Sequence, residues 1–299
     1  KGNLCEKESV EGSDCEQDSC KDGTEKIHSV TDMSILERTS WTDKSIDLLI
    51  HDIIEYDMRD GGLSLIKEEK LLPQYMINQF DQMKKGLDRN AAIGKLRHSK
   101  VKEFAEVPAK QAELFKKYRL LFGEMNELSD EDILSIKKDA IFTKKFCYQL
   151  KLGEFVEFAE KHVYQAFMAL EVQNPNGRKR LEFYWSEDGH IDVKGIEDKT
   201  LEKYHKDYTL KVLWKVMRYL VDFDTEGAIN YLVKFMDDYK MLRLSTEYYR
   251  TFNEDSIFPV TFNGKQALWD QIGPDLLEST DISYNYLQIY MNVLNLISS

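Results

Sequence analysis

Two short stretches constrain this sequence most, because each places an aspartate at the edge of an apolar, strand-like run. They read Glu55-Tyr56-Asp57-Met58-Arg59-Asp60-Gly61-Gly62-Leu63-Ser64-Leu65-Ile66 and Ser135-Ile136-Lys137-Lys138-Asp139-Ala140-Ile141-Phe142. The first breaks at Gly61-Gly62 and then enters a helix, whereas the second is typical of a tight hairpin with Asp139 near its turn. We therefore expect Asp57 and Asp139 to lie side by side on adjacent antiparallel strands of one sheet.

Two carboxylates on neighbouring strands are what a divalent metal needs to gather a nucleotide triphosphate. Two-metal nucleotidyl transfer uses metals about 3.5–4 Å apart, and the N-terminus of a following helix can bind phosphate through its backbone amides. Asp57 and Asp139 are therefore the candidate catalytic residues and the candidate ligands of Mg²⁺ or Mn²⁺. The same residues allow an alternative, in which Asp57 and Asp60 cap the helix that begins near Leu63 and Asp139 is only a turn residue.

The composition describes a folded, acidic chain. Its hydrophobic content of 42% is enough for a core, and the sequence has no run of about 18 apolar residues that would span a membrane. The N-terminus lacks a basic-then-apolar leader, so we expect a cytoplasmic protein. The net charge of −12 weighs against a sequence-independent DNA binder, although much of the acid lies in residues 1–26.

The cysteines give a weak metal signal. Cys5, Cys15 and Cys20 lie in the acidic N-terminal segment, and Cys147 lies in a predicted strand. The first three could bind zinc together with His28, but they lack the closely spaced cysteine pair of well-defined zinc sites. We favour the alternative that they are free thiols.

The hydrophobic pattern divides the chain into three regions. Residues 1–30 are an acidic tail or arm, residues 31–197 form an α+β domain with a helical insertion at about 74–127, and residues 198–299 are mostly helical. The predicted strands are Ser45 to Tyr56, Ile133 to Thr143, Phe146 to Phe158, His162 to Ala169, Arg180 to Trp185 and His190 to Val193. The fold class is therefore α+β, with an antiparallel sheet flanked by helices.

Three motifs in order resemble the palm and thumb of a family B DNA polymerase over about residues 45–240. That family's first catalytic motif, Asp, two variable residues and Ser-Leu-Tyr-Pro-Ser-Ile-Ile, is similar to Asp57 and Ser64-Leu65-Ile66. Its third motif, Tyr-Gly-Asp-Thr-Asp-Ser-Ile-Phe, is similar to Asp139-Ala140-Ile141-Phe142. Its basic-aromatic strand and Lys-Gly turn are similar to Arg178-Lys179-Arg180-Leu181-Glu182-Phe183-Tyr184 and Val193-Lys194-Gly195-Ile196-Glu197.

The resemblance implies a palm-like sheet, a fingers-like insertion and a thumb-like C-terminal domain that act on primed nucleic acid and a nucleotide triphosphate. The nucleic-acid-binding residues that it implies are Lys137, Lys138, Lys95, Arg97, Arg178, Lys179, Arg180 and Lys194. The chain departs from the family at Lys137, which replaces the first aspartate of the third motif, and at Gly62, which replaces the tyrosine that screens the sugar. The finger-helix motif has no clear copy, and Lys95 and Arg97, near Asn90 and Gly94, are the nearest basic candidates.

Two other classes of function remain open. The first is a non-catalytic interaction or inhibitor protein, a degenerate polymerase relative or nucleic-acid mimic, whose acidic surface binds a basic protein partner. The second is a structural subunit that uses its aromatic C-terminal half as an interface. The run Tyr248-Tyr249-Arg250-Thr251-Phe252 fits either base stacking or packing. A compact polymerase without proofreading would suit a virus or mobile element.

Overall fold

The structure is a computed structural model that describes residues 34–84, 86–174, 177–195, 206–241, 243–244, 260–262, 265–267 and 284–299. These residues belong to one compact unit, Asp32–Ser299. The acidic segment 1–30, with its three cysteines and His28, lies outside the described residues, and so does the aromatic run Tyr248–Phe252.

Helices and strands alternate in blocks along the chain. The α-helices are α1 (Gly61–Glu68), α2 (Gln74–Gln82), α3 (Leu87–Lys95), α4 (Lys102–Ala105), α5 (Val107–Met125), α6 (Lys206–Val221), α7 (Thr225–Lys240) and α8 (Tyr284–Ser298). The strands are β1 (Ser40–Thr42), β2 (Leu48–Met58), β3 (Ile133–Lys137), β4 (Ala140–Thr143), β5 (Phe158–Asn174), β6 (Gly177–Trp185), β7 (Ile191–Lys194), β8 (Val260–Phe262) and β9 (Lys265–Ala267). Short 3₁₀ turns lie at Ser34–Glu37, Leu96–His98 and Asp130–Asp132.

A seven-stranded antiparallel sheet in the order β1-β3-β4-β2-β5-β6-β7 forms the centre of the fold. The longest strands, β2 and β5, lie in the middle, and the β3–β4 hairpin pairs with one edge of β2. The α+β class predicted from the sequence is confirmed. Because β2 lies between β4 and β5, its C-terminal end is surrounded by residues from both neighbouring strands.

Helices pack against the sheet in two places. On one face Tyr56 and Met58 of β2 lie in a cluster with Phe115 and Phe122 of α5. At the β5–β7 edge, the C-terminal helices α6, α7 and α8 share a second cluster with strand residues such as Trp185. The sheet and the C-terminal helices therefore have a common core, and the proposed boundary near residue 197 stays a prediction.

The segment predicted to be a helical insertion contains α2 to α5. Its cluster joins Leu63 and Ile66 of α1 to Ile77 of α2, Ile93 of α3 and Val107 of α5. The insertion is thereby packed directly on the helix that follows Asp57, which brings its residues to the end of β2.

The strand predicted for Phe146 to Phe158 is wrong, and Cys147 does not lie in a strand. Only an isolated bridge between Lys151 and Glu157 occurs there, before β5 begins at Phe158. In this segment, several backbone amides bond to side chains and not to a neighbouring strand. The amide of Cys147, for example, donates to the Tyr56 hydroxyl at 2.9 Å. Cys147 is a buried free thiol, and burial raises its pKa to about 12.

Asn126 explains the rest of this irregular segment. Its Oδ1 accepts hydrogen bonds from the amides of Tyr148 and Gln149 at 2.8 and 2.9 Å, in place of a neighbouring strand. Leu150 and Leu152 of this segment pack against the cluster that contains Tyr56, whereas Phe146 and Tyr148 are exposed. Among the described residues, no helix combines the length and apolar character needed to cross a membrane.

Candidate functional site

The end of β2 and the turn of the β3–β4 hairpin bring Asp57 and Asp139 together. Asp57 lies opposite Ala140 in the β2–β4 register, and the amide of Met58 donates to the carbonyl of Asp139 at 3.1 Å. Lys138 adopts a left-handed φ of 52°, which turns the chain sharply before Asp139. The predicted juxtaposition is therefore present, with Asp139 in the turn that leads into β4.

A buried arginine holds this turn from behind. The guanidinium of Arg119, on α5, donates to the carbonyls of Leu36, Arg38 and Lys138. Only 2% of the residue is exposed, and burial lowers its pKa to about 10, partly offset by the negative charge of Asp139. Because three carbonyls from two segments share one guanidinium, the position of the turn is fixed by α5.

The surroundings of Asp57 disfavour its charged form. Burial raises the pKa of Asp57 above its ordinary value, and the charge of Asp139 raises it further. The ammonium of Lys161, 3.3 Å from Asp57 Oδ2, opposes this rise. When a neighbouring carboxylate destabilises the ionised form of a group, a cation that binds between the two stabilises that form again.

Asp57 and Asp139 supply two of the ligands that a hard divalent cation would need. Asp57 and Asp139 offer carboxylate oxygens, the ligand type that Mg²⁺ and Mn²⁺ prefer, and Asp57 is 31% exposed and accessible from a cavity. Such an ion would offset the negative charge of Asp139 that raises the pKa of Asp57. Lys161 already supplies one positive charge, and a metal at Asp57 would have to displace it.

Asp57 and Asp139 border two cavities. The first, here called the α1 cavity, has a volume of about 370 Å³ and lies against Gly62 of α1, Asn90 of α3 and Gln111 of α5. The second, here called the sheet cavity, has a volume of about 490 Å³ and is lined by Lys137, Lys161 and Lys194 among others. A molecule in either cavity would touch the same two carboxylates.

The helix α1 begins after Asp60, whose backbone accepts the first hydrogen bonds of the helix. Asp60 has a left-handed φ of 55°, and its carbonyl accepts from the amides of Leu63 and Ser64 at 2.9 and 3.0 Å. Its side chain makes no capping hydrogen bond and instead forms an ion pair with the buried Arg89 of α3. Asp60 is thus the N-cap residue of α1, as the alternative expected, but it caps through its backbone carbonyl and not through its side chain.

The two glycines of α1 have different surroundings. A Cβ at Gly61 would lie 2.8 Å from Phe115 Cε1, so this position admits only glycine without a shift of the ring. A Cβ at Gly62 would lie 3.5 Å from Gln111 Nε2 and 3.6 Å from Asn90 Oδ1, which are ordinary contacts. Gly62 therefore leaves space in the α1 cavity that a larger side chain could occupy.

Three predicted basic residues lie at the site. Lys137 and Lys194 line the sheet cavity, and Lys138 lines the α1 cavity with its ammonium 5.1 Å from the centre of the Phe115 ring. The ammonium of Lys137 lies 2.9 Å from Glu182 Oε2, on β6, and donates to Thr42 Oγ1 at 2.8 Å. The charge of Lys137 is therefore paired with the buried carboxylate of Glu182.

The other predicted basic residues lie elsewhere. Arg178 and Lys179 are exposed on β6, and Arg178 lies 3.9 Å from Glu171. Arg180 binds Asp47 at 2.7 Å and the carbonyl of Ile46 at 2.6 Å, so its guanidinium stabilises the start of β2. Lys95 and Arg97 are exposed and do not line either cavity.

The Lys-Gly turn after β7 has a steric cause. Gly195 has a φ of +91°, and a Cβ there would overlap the carbonyl oxygen of Arg180. Lys194 is cross-strand partner to Glu182. The glycine therefore lets β7 end close against β6 and keeps Lys194 at the sheet cavity.

Comparison with known proteins identifies a phage family. A family described as Bacteriophage PBS1 gene 130 protein matches residues 31–299, which is 269 of the 299 residues. The chain belongs to this phage protein family. The match fits the expected viral origin. No curated protein matches the chain.

In this phage protein, sequence reasoning missed Lys161 because a β-bulge changes its direction. Glu55 lies opposite His162 and Tyr56 opposite Glu160, so Lys161 is an extra residue without a partner on β2. Strict alternation would place Lys161 and His162 on opposite faces. No signal in the β5 sequence marks the bulge.

A second polar cluster lies beside Lys161. Donor atoms of Glu55, His162 and Asp192 lie within 4.8 Å of one another, and the Tyr164 hydroxyl contacts both carboxylates. Burial and these two carboxylates raise the pKa of Tyr164 well above its ordinary value. The phage protein therefore carries buried charge along the same face of the sheet as Asp57.

Proposed function

We propose that this phage protein is a polymerase-like nucleotidyltransferase that extends primed nucleic acid at Asp57 and Asp139. The observation that carries the proposal is that both carboxylates border two separate cavities. A transfer reaction needs one space for the group that is transferred and another for the acceptor, with the catalytic groups between them.

The α1 cavity suits the nucleotide triphosphate. Its wall includes Gly61 and Gly62, whose amides begin a helix and so have no partner within it. Lys138 contributes a positive charge at the same cavity. Asn90 and Gln111 add polar side chains near the position where the sugar would lie.

The sheet cavity suits the end of the primer strand. Lys137 and Lys194 line it and would bind backbone phosphates, while the exposed Arg178 and Lys179 extend the basic surface along β6. Mg²⁺ or Mn²⁺ at Asp57 and Asp139 would supply activation of the primer hydroxyl and neutralisation of the triphosphate. Such a reaction would take place in the cytoplasm of the infected cell.

One observation favours a second candidate function. The ammonium of Lys161 lies 3.3 Å from Asp57 Oδ2, and Lys137 occupies a position where the resembling family has a carboxylate. A degenerate relative that has lost metal binding would keep such internal cations. In that case the phage protein binds a basic protein partner through its acidic surface, and binding weakens steeply with salt.

Primer extension separates the two candidates. Purified protein is incubated with a primed template and nucleotide triphosphates in Mg²⁺ or Mn²⁺, alongside Asp57→Asn and Asp139→Asn. Each asparagine has nearly the shape of aspartate but lacks the charge that the metals need, so each substitution should abolish extension. Asp52→Asn, an exposed aspartate on the same strand, is the matched control and should retain activity.

The outcomes are distinct. Extension by wild type and Asp52→Asn, but by neither site variant, supports the transferase. No incorporation by wild type, together with salt-sensitive binding to polylysine that both site variants retain, supports the acidic binding protein. Extension that survives both asparagine substitutions would contradict the proposed site.

A further inference from the structure

The bulge in β5 delivers one lysine to the carboxylates of β2. Since Lys161 is the extra residue between two paired neighbours, its side chain leaves the alternation of the strand. Its Nζ lies 3.1 Å from Glu55 Oε1 and 3.3 Å from Asp57 Oδ2. One ammonium thus bridges two carboxylates that are two residues apart on β2.

The carboxylates of Glu55 and Asp57 differ in how far they are exposed. Glu55 is 2% exposed, and its second oxygen accepts from the Tyr164 hydroxyl at 2.9 Å. Asp57 is 31% exposed and borders both cavities. Glu55 is therefore a fixed anchor for the ammonium, whereas Asp57 is the partner that can change.

We propose that Lys161 is a positioning residue. Its ammonium occupies the cation-binding position at Asp57 when no metal is bound, and a divalent metal displaces it. The inference rests on the proposed function, because it requires Asp57 to be a metal ligand. An ammonium and a divalent cation beside one carboxylate repel each other strongly at about 4 Å. Metal binding must therefore release Lys161 from Asp57.

The structure provides a place for the released side chain. Lys161 is 46% exposed, lines the sheet cavity, and remains tethered by Glu55 through a different oxygen from the one that Tyr164 binds. A flexible four-carbon stem lets the ammonium turn into that cavity, where a strand phosphate would receive it. Metal and nucleic acid should then strengthen each other's binding.

Calorimetric titration of the full chain with Mn²⁺ tests this. Lys161→Gln and Lys161→Met should each bind Mn²⁺ at Asp57 about tenfold more tightly than wild type, because the competing charge is gone. Lys161→Arg keeps the charge and should match wild type. Lys234→Gln, which breaks a lysine–aspartate pair on α7, is the control for loss of one surface charge and should change nothing.

A second titration measures coupling. With a primed duplex present, wild type should gain Mn²⁺ affinity, and Lys161→Gln should gain at least threefold less. Unchanged or weaker Mn²⁺ binding in both neutral variants, while Asp57→Asn still abolishes binding, would overturn the role of Lys161 and leave the proposed function standing. Mn²⁺ binding that Asp57→Asn does not alter in any background would remove the proposed function as well.

Discussion

The amide of Met58 donates a 3.1 Å hydrogen bond to the carbonyl of Asp139, and this bond joins the hairpin turn to the end of β2. Asp57, the preceding residue, is opposite Ala140, the residue after Asp139. The two aspartates are therefore held as neighbours by the backbone.

The first prediction contrasts two aspartates on one face of the sheet. Burial and Asp139 raise the pKa of Asp57, whereas Asp192 has a lowered pKa because Tyr164, Lys194 and His190 outweigh its burial. A carboxyl whose pKa is higher in the folded than in the unfolded protein makes the fold less stable as pH rises through that pKa. A carboxyl whose pKa is lower in the folded protein makes the fold less stable as pH falls through that pKa. At neutral pH, Asp57→Asn should therefore raise the free energy of unfolding and Asp192→Asn should lower it.

Urea unfolding between pH 3 and pH 8 measures both effects. Each difference from wild type should shrink as pH falls through the range in which the carboxyl concerned becomes protonated. For Asp192 this range lies below that of an ordinary aspartate, and for Asp57 it lies above. Destabilisation by Asp57→Asn at neutral pH would show that the ion pair with Lys161 outweighs burial and repulsion.

The second prediction concerns the support behind the turn. Arg119→Met leaves the carbonyls of Leu36, Arg38 and Lys138 without their donor. Each such carbonyl costs about 1–3 kcal/mol, so we expect a loss of about 3 kcal/mol or more in unfolding free energy. Lys116 lies on the same helix as Arg119, and Lys116→Gln, which removes its exposed ion pair with Glu37, should cost less than about 0.5 kcal/mol. Equal effects of the two substitutions would contradict the assigned role of Arg119.

Much of this fold was readable from local patterns. The β2 strand, the break at Gly61-Gly62 and the β3–β4 hairpin follow from apolar runs and turn residues, and their pairing brings Asp57 beside Asp139. The strand, the break and the hairpin depend on neighbours in sequence, so they can be predicted before any tertiary contact is known. The β2–β4 pairing joins segments that are far apart in sequence, and it was inferred from the matching positions of the two aspartates.

The parts that failed depend on distant partners. The irregular course after Phe146 depends on Asn126, and the direction of Lys161 depends on a bulge that forms only when β5 pairs with β2. Arg180 is a residue type that often binds phosphate, but here its guanidinium donates to the carboxylate of Asp47 and the carbonyl of Ile46. Sequence type indicates what a side chain can do, whereas its partners decide which of those interactions it makes.

The third prediction compares the two glycines of α1. Gly61→Ala places a methyl 2.8 Å from Phe115 Cε1, and such overpacking costs about 1–3 kcal/mol. Gly62→Ala meets only contacts of 3.5 Å or more and gains helix propensity, by less than the roughly 1 kcal/mol of a helix interior because Gly62 lies in the first turn. Urea unfolding should therefore show opposite signs for adjacent substitutions. Loss of stability in both would mean that α1 begins later than Gly61.

The last prediction concerns the sugar of the incoming nucleotide. If the phage protein is active, extension should discriminate poorly against ribonucleotides, because Gly62 offers no side chain to clash with a 2′-hydroxyl. Gly62→Tyr directs a ring past Asn90 and Gln111 into the α1 cavity, and steric exclusion of one small group is worth about 10–100-fold. We expect the ratio of deoxyribonucleotide to ribonucleotide kcat/KM to rise by that amount, mainly through loss of ribonucleotide use. Single-nucleotide incorporation with each substrate on the same primed template measures the ratio, and the deoxyribonucleotide rate of each variant is its own control. If Gly62→Tyr lowers both rates equally, the sugar does not lie beside Gly62, and the assignment of the α1 cavity to the nucleotide is wrong.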